Sequence, residues 1–413
     1  MRILYFTQYY PPEVGATQTR AHEMCGYLAS HGHRVTVVTE VPNHPSGIIP
    51  PRYKHKLWER KREDGIDVLR LWVWASPEKN FRSRMRFYLS YMAVAALAGS
   101  LLRGRYSLVY ATSPPLFVGG AGLFTSLARR IPLVFEVRDL WPESAVALGE
   151  LNNKRAISAA EKLEEALYRR AVHVVSVTQG IETRLRARGV PANKIAYIPN
   201  GANVEHFQFS LEGRRRVRRE LHIPDEASLV MYAGIHGVAQ GLETLLQAAD
   251  LLRERDDILF ALLGEGPRKA QIEALASRME LPNLRLLPEV PSVAMPSYLS
   301  AADCMVVPLR DEPIFKGALP SKMFEAWACE RPVVLSVTGE AAQLLEQAQG
   351  GISIPPEDPQ AMSDAIKYMA EHRSEAQAMG RSARLYVALH YSRETQAEKL
   401  ETLLLGLLNK KAR

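Results

Sequence analysis

Short apolar runs rich in Val, Ile and Leu recur along this chain, each followed by a longer stretch with helical spacing. That alternation constrains the fold more than any other feature. A parallel sheet needs a crossover to bring each strand back to the same edge, and the crossover is usually a helix. Arg2 to Phe6 predicts the first strand and Thr7 to Thr17 a Pro/Gly loop. A helix to His31 follows, capped by Gly32, and Arg34 to Thr39 predicts the second strand. Further strands are expected at 67–74, 107–111, 132–137, 172–177 and 195–198. The series then begins again at 229–233, 258–263, 284–287, 304–308 and 332–336, after the interrupting stretch IPNGANVEHF at 198–207. A chain of 413 residues exceeds one ordinary core. The expectation is two doubly wound Rossmann-like α/β domains, 1–200 and 201–390, facing a central cleft, with a closing segment at 391–413.

In such sheets ligands sit beyond the carboxyl ends of the strands, where loops enter helices. Residues 320–332, PSKMFEAWACERP, are one such entry. Pro320 suits a helix start because its missing N–H would go unpaired there anyway. Lys322 in the first turn opposes the helix dipole, and Glu325 interrupts an otherwise apolar run. Both residues make sense if the helix start holds an anion such as a diphosphate and Glu325 accepts from a ribose diol. The bland alternative is a dipole-matched Glu beside a solvated Lys. FALLGEGPRKAQIE, 260–273, joins a buried strand to a helix through Gly264 and Gly266. MYAGIHGVAQGLETL, 231–245, does the same through Gly234, Gly237 and Gly241, whose backbone N–H groups suit phosphate. His236 in that loop reads as a bystander.

In the first domain, PLVFEVRDLWPES sets Arg138 and Asp139 at a strand's end, and Gly15 with Ala16 would let a substrate approach the first loop. An ordinary Arg–Asp pair is the plain reading. Ser90 to Leu102, with Tyr88 and Leu89, is a nearly uncharged run flanked by Lys79, Arg82, Arg84, Arg86, Arg103 and Arg105. It would span roughly 22 Å, short of the ~30 Å hydrocarbon core. Docking on an anionic membrane surface and burial against the first sheet both fit. The RRRVRRE run at 214–220 has no interleaved aromatic residues, which argues against nucleic acid.

Other classes are disfavoured. The net charge of +7 favours an anionic partner. Three cysteines without metal or redox spacing suit a reducing compartment, so a cytoplasmic location is expected. The apolar run in MRILYF is too short for a signal peptide, and no membrane span, Walker loop or metal-ligand cluster is expected from the sequence. The Gly-x-Gly-x-x-Gly expected of an NAD site after the first strand is also missing.

Several segments together resemble the retaining glycosyltransferases of family 4, which have the GT-B fold. They are the Gly15 loop, LASHGHRVTVVT, VSVTQGIETRL, IPNGANVEHF, LLGEGP, SAADCMVVPL and PSKMFEAWACERPVV. VRDLWPES and the AGxxGxAQGLETL wording resemble bacterial O-antigen and capsule transferases, including the L-fucosamine transferase type. The resemblance implies a UDP-sugar donor held mainly by the second domain, without a metal or other cofactor. It implies Glu325 on the ribose, Ser321 and Lys322 at the diphosphate, and Val290 beside the base. It implies an acceptor near Gly15, Arg138 and Asp139, with Arg138, Asp139 and Lys322 as the catalytic set. The acceptor would be a polyprenyl-diphosphate-linked saccharide at the inner face of the cytoplasmic membrane, and the transferred group an N-acetylated amino sugar. The segment from Tyr391 to Leu408 resembles a helix that returns to the first domain. Four positions depart from the family pattern, one of them Arg138, where the family commonly has a histidine before the first-domain aspartate. Its first glutamate is Gly317 here, leaving Lys316 or a backbone group for the donor sugar. Its diphosphate-binding Arg and Lys are Ile235 and Gln240. A UDP-sugar epimerase of the same architecture and a non-catalytic membrane-docked assembly protein remain as alternatives.

Overall fold

The computed structural model describes residues 1–13, 15–44, 46–78, 80–147 and 151–409; Lys79 of the basic flank lies outside them. The chain forms two compact units, one of Met1–Pro199 with the residues from Gln396 onward, the other of Asn200–Thr395.

The first unit is built on eight strands: β1 (Arg2–Phe6), β2 (Arg34–Glu40), β3 (Trp58–Glu63), β4 (Ile66–Leu71), β5 (Leu108–Thr112), β6 (Leu133–Val137), β7 (His173–Ser176) and β8 (Ile195–Tyr197). Their order is β3-β4-β2-β1-β5-β6-β7-β8, parallel throughout except for the β3–β4 pair. Both faces are covered, so successive residues of a strand enter different cores. Leu4 and Phe6 pack on one side with Val109, Ala111 and Phe135, while Ile3 and Tyr5 pack on the other with Val35, Val37 and Tyr110. The last helix, Arg393–Asn409, sends Ala397, Leu400 and Leu404 into that second core.

β3 is absent from the sequence expectation. WERKRE has no apolar run, and four of its six residues are exposed. Asp64 and Gly65, with φ of 48° and 78°, turn the chain in the left-handed conformation that closes tight hairpins. Cross-strand ion pairs, Arg60–Asp67 at 2.8 Å and Arg70–Glu63 at 2.9 Å, then hold this edge. The turn also starts β4 at Ile66 and ends it at Leu71, so the expected 67–74 strand is displaced.

The apolar run at 90–102 is the later part of a longer helix, Phe81–Leu101. Asn80 caps it by accepting from the Ser83 N–H at 2.9 Å, so Arg82, Arg84 and Arg86 are helical. Tyr91, Ala95, Ala96 and Gly99 are buried. A Cβ on Gly99 would come within 2.6 Å of the Thr125 hydroxyl, so the helix Leu116–Arg129 lies in close contact. The opposite side is apolar and exposed at Leu89, Leu97 and Leu101. No helix among the described residues is long and apolar enough to cross a membrane.

The second unit has six parallel strands: β9 (Ser228–Ala233), β10 (Ile258–Leu263), β11 (Leu284–Leu287), β12 (Cys304–Pro308), β13 (Val333–Ser336) and β14 (Gly351–Ser353). Their order is β11-β10-β9-β12-β13-β14. β14 is too short, and too glycine-rich, to register as an apolar run. The chain runs outward one way from β9 and the other way from β12, so these two central neighbours flank a topological switch point.

Candidate functional site

At that switch point the carboxyl ends of β9 and β10 turn sharply. Gly234 and Gly264 have φ of 145° and 141°, and a Cβ on Gly264 would lie 1.9 Å from the Gly234 carbonyl oxygen. The two loops therefore lie backbone against backbone, which only glycine permits.

The helix Ser321–Ala328 begins beside them. Pro320 precedes it in extended conformation, and Ser321 is its first residue. Its inner face, Met323, Phe324, Ala326, Trp327 and Ala328, is buried, and the Trp327 indole donates to the Gly350 carbonyl at 3.0 Å. Lys322 reaches back over β9. Its Nζ donates to the Tyr232 hydroxyl at 2.8 Å, stands 4.1 Å from that ring's centre, and lies 2.8 Å from where a Cβ of Gly234 would project. Tyr232 in turn donates to the Ile235 carbonyl at 2.6 Å. Burial lowers the Lys322 pKa to about 7, and the charge of Glu325 works against that shift. The structure thus brings Gly234, Gly264, Lys322 and Glu325 together.

Lys269, in the first turn of its own helix, donates to the carbonyls of Gly264 and Leu287, both at 2.9 Å. Neither it nor Tyr232 was singled out by the sequence. The glycine loop before Lys269 was the available signal for it. His236, read as a bystander, is wholly buried, with the Leu263 backbone beside its ring. Burial and the charges of Lys269 and Lys322 hold its pKa down at about 4, so the ring is neutral.

The remaining expected residues surround this group less directly. The Gln240 side chain folds over Gly237, its Oε1 2.5 Å from a Cβ placed there. Ile235 is exposed at 56%. Arg310, after β12, clasps the same loop through the carbonyl of Val238 at 2.8 Å, while its charge is matched by Glu243 and Glu357. Lys316 and Gly317 belong to a separate turn, Pro313–Gly317, where Lys316 is exposed. Val290 follows β11 and is half-buried against the core.

In the first unit, Arg138 donates to the Ala16 carbonyl at 3.2 Å, which joins it to the Gly15 loop. Asp139 accepts from the Ser144 hydroxyl at 2.8 Å. Beneath them Glu136 is fully buried and accepts from Arg20, Tyr110 and Thr112. Burial pushes its pKa up, but the charges of Arg20 and Arg138 outweigh this and hold it at about 2. Arg20 also donates to the carbonyls of Ile198 and Pro199, fastening the end of the first unit to its first helix. Among the described residues, no group of three His, Cys, Asp or Glu side chains could hold a metal ion.

Residues 15–201 match the glycosyl transferase 4-like domain, and residues 213–386 match glycosyl transferases group 1. The chain belongs to the GT-B glycosyltransferases. The transferase is 26% identical over 377 residues to WcaI of Escherichia coli, a glycosyl transferase assigned to colanic acid biosynthesis, with 89% of this chain and 91% of that one covered. It is 25% identical over 381 residues to TuaC of Bacillus subtilis, assigned to teichuronic acid biosynthesis, with coverage of 89% and 88%. Among solved structures, sucrose-phosphate synthase of Thermosynechococcus elongatus covers 99% of both chains with a TM-score of 0.77 and 21% identity. Anabaena HepE in complex with UDP-glucose has a TM-score of 0.74 and 18% identity, with coverage of 98% and 99%. At those identities the structural likeness shows that the transferase shares their fold.

Proposed function

We propose that this transferase moves a sugar, with retention at the anomeric carbon, from a UDP-sugar to a polyprenyl-diphosphate-linked saccharide in the assembly of a surface polysaccharide. The observation that carries the donor side is the meeting of Lys322 and Glu325 with the bare backbones of Gly234 and Gly264 at the switch point of the second sheet. Charge develops on the diphosphate as the glycosidic bond breaks. An ammonium group and helix-start N–H groups already aimed there stabilise that charge without reorganising. Ser321 shares the helix start, Glu325 receives the ribose hydroxyls, and the backbone at Val290 lies against the base. Lys316, the backbone of Gly317, and Gly237 with Gln240 border the donor sugar. Arg138, Asp139 and Gly15 receive the acceptor, and no metal takes part. The UDP-glucose held by HepE and the polysaccharide roles assigned to WcaI and TuaC support this reading.

The acceptor's lipid implies work at the inner face of the cytoplasmic membrane. The exposed apolar side of Phe81–Leu101, with Arg82, Arg84 and Arg86 in its first turns, suits an anionic bilayer surface. A direct test incubates the purified transferase with UDP-sugars and a polyprenyl-diphosphate saccharide in the presence of a chelator. The expected outcome is acceptor-dependent release of UDP, with the donor's anomeric configuration kept in the product. Consumption of the donor without acceptor would replace this reading with an epimerase.

A further inference from the structure

Beyond the carboxyl end of β4 the chain buries Val73 and then turns Trp74 outward, its side chain 52% exposed. The exposed indole is nevertheless fixed in place. Its backbone N–H donates to the Ser90 hydroxyl at 2.9 Å, and that hydroxyl donates to the Phe87 carbonyl at 2.8 Å, which ties this segment to the helix Phe81–Leu101. On the other side Gly47, with φ of 73°, lies so close that a Cβ would stand 2.0 Å from the Ser76 carbonyl oxygen. The Gly47 N–H donates to the Asn43 carbonyl at 2.7 Å, and Asn43 in turn donates its N–H to Glu13 at 2.7 Å. The segment is thereby linked to the loop that carries Gly15. Trp74, Ser76 and the start of the helix bound an open pocket of about 680 Å³, within the size range of small-ligand sites.

The cations of this pocket are not matched by protein carboxylates. Arg82 and Arg86 are both exposed, and among the described residues neither forms an ion pair. The Arg86 guanidinium stands 5.9 Å from the centre of the Trp74 ring. The one carboxylate on the lining, Glu78, accepts from the Asn80 side-chain amide at 3.0 Å. An indole face, hydroxyl and amide groups and two guanidinium groups suit a sugar that carries a negative substituent. The C–H side of a pyranose packs on the indole, and guanidinium forks bond phosphate oxygens in pairs. The helix continues the pattern. Arg82, Arg86, Leu89, Ala93, Leu97 and Leu101 follow one another at three- or four-residue steps and are all exposed, so they share one face. That face changes from cationic to apolar and runs roughly 22 Å beyond Arg86.

We propose that this pocket holds the diphosphate-linked sugar of the acceptor, with the pyranose on Trp74, the diphosphate at Arg82 and Arg86, and the prenyl chain leaving along Leu89 and Leu97. This rests on the acceptor being a polyprenyl-diphosphate saccharide and goes further, because it gives that end of the acceptor its own residues, apart from Gly15, Arg138 and Asp139. The test measures binding of three ligands to the full chain: a water-soluble short-prenyl diphosphate saccharide, the same saccharide without diphosphate, and UDP. All three are repeated on Trp74→Ala and on the pair Arg82→Gln with Arg86→Gln, exposed positions where the melting temperature should hold. Trp74→Ala should weaken both saccharides about tenfold. The arginine pair should weaken only the diphosphate-bearing one, by about 10- to 100-fold, and UDP should bind all three proteins alike. Equal affinity for the prenyl-diphosphate saccharide in either variant overturns the assignment, as does a parallel loss of UDP binding. An arginine pair that loses anionic liposomes yet keeps the soluble ligand gives those cations to the bilayer surface and also overturns it. Each of these results leaves the acceptor reading standing, provided the unaltered chain binds the prenyl-diphosphate saccharide. Failure of the unaltered chain to bind it removes both readings.

Discussion

Lys322 is held over Tyr232 and against Gly234, and burial sets its pKa at about 7. A diphosphate placed beside that group favours the ammonium form, so its pKa must rise in the complex. The sign follows from linkage. Below pH 7 the lysine is charged in both states and binding takes up no proton through it. Above pH 7 the free protein has lost the proton and must regain it, so affinity should fall by about tenfold per pH unit until the pKa of the complex is reached. Calorimetric titration of UDP at about pH 8, in buffers of different ionisation enthalpy, should register uptake of nearly one proton. Lys322→Met should remove that uptake. Affinity that stays flat between about pH 6 and 9 would mean that Lys322 does not face the ligand. His236 and Glu136 show the same principle working in opposite senses. Two ammonium groups help to keep the imidazole neutral, while Arg20 and Arg138 keep the carboxylate charged in spite of full burial.

At the scale of elements, Phe81–Leu101 joins two roles. Its inner side is fixed by Gly99 against the helix Leu116–Arg129, and its outer side is apolar with arginines at the start. If that side docks on anionic lipid, Arg82, Arg84 and Arg86 changed together to Glu should reduce liposome binding by about 100-fold or more, at unchanged melting temperature. Liposome binding that persists at full strength would leave the exposed face without a lipid role. The same elements show which parts of the fold were legible in sequence. β1, β5 and the central strands of the second unit are buried on both sides, so they read as largely apolar runs. β3 is an edge strand held by ion pairs and a left-handed turn, and only its Asp64–Gly65 pair advertised it. Lys322 and Glu325 were legible because each contradicts the local rule for a helix. Tyr232 was not, because an aromatic residue near the end of a strand is ordinary until a lysine from a distant helix lands on it. The burial of His236 was not legible either, since sequence spacing does not report burial.

At the scale of the whole molecule, the proposed function gives donor chemistry to the second unit and acceptor chemistry to the first. The polypeptide itself returns to the first unit at Gln396, so the first unit is built from two separate stretches of chain and the second from one. The 4-like and group 1 family matches cover residues 15–201 and 213–386, leaving the join and the last helix outside both. The central claim is that the second unit holds a nucleoside diphosphate through Glu325 and Lys322. Its most direct test is calorimetric titration of the full chain with UDP, repeated on Glu325→Ala. The expected result is saturable UDP binding that weakens about 10- to 100-fold in the variant while the fold is retained. UDP binding of equal strength in a folded Glu325→Ala protein would contradict it.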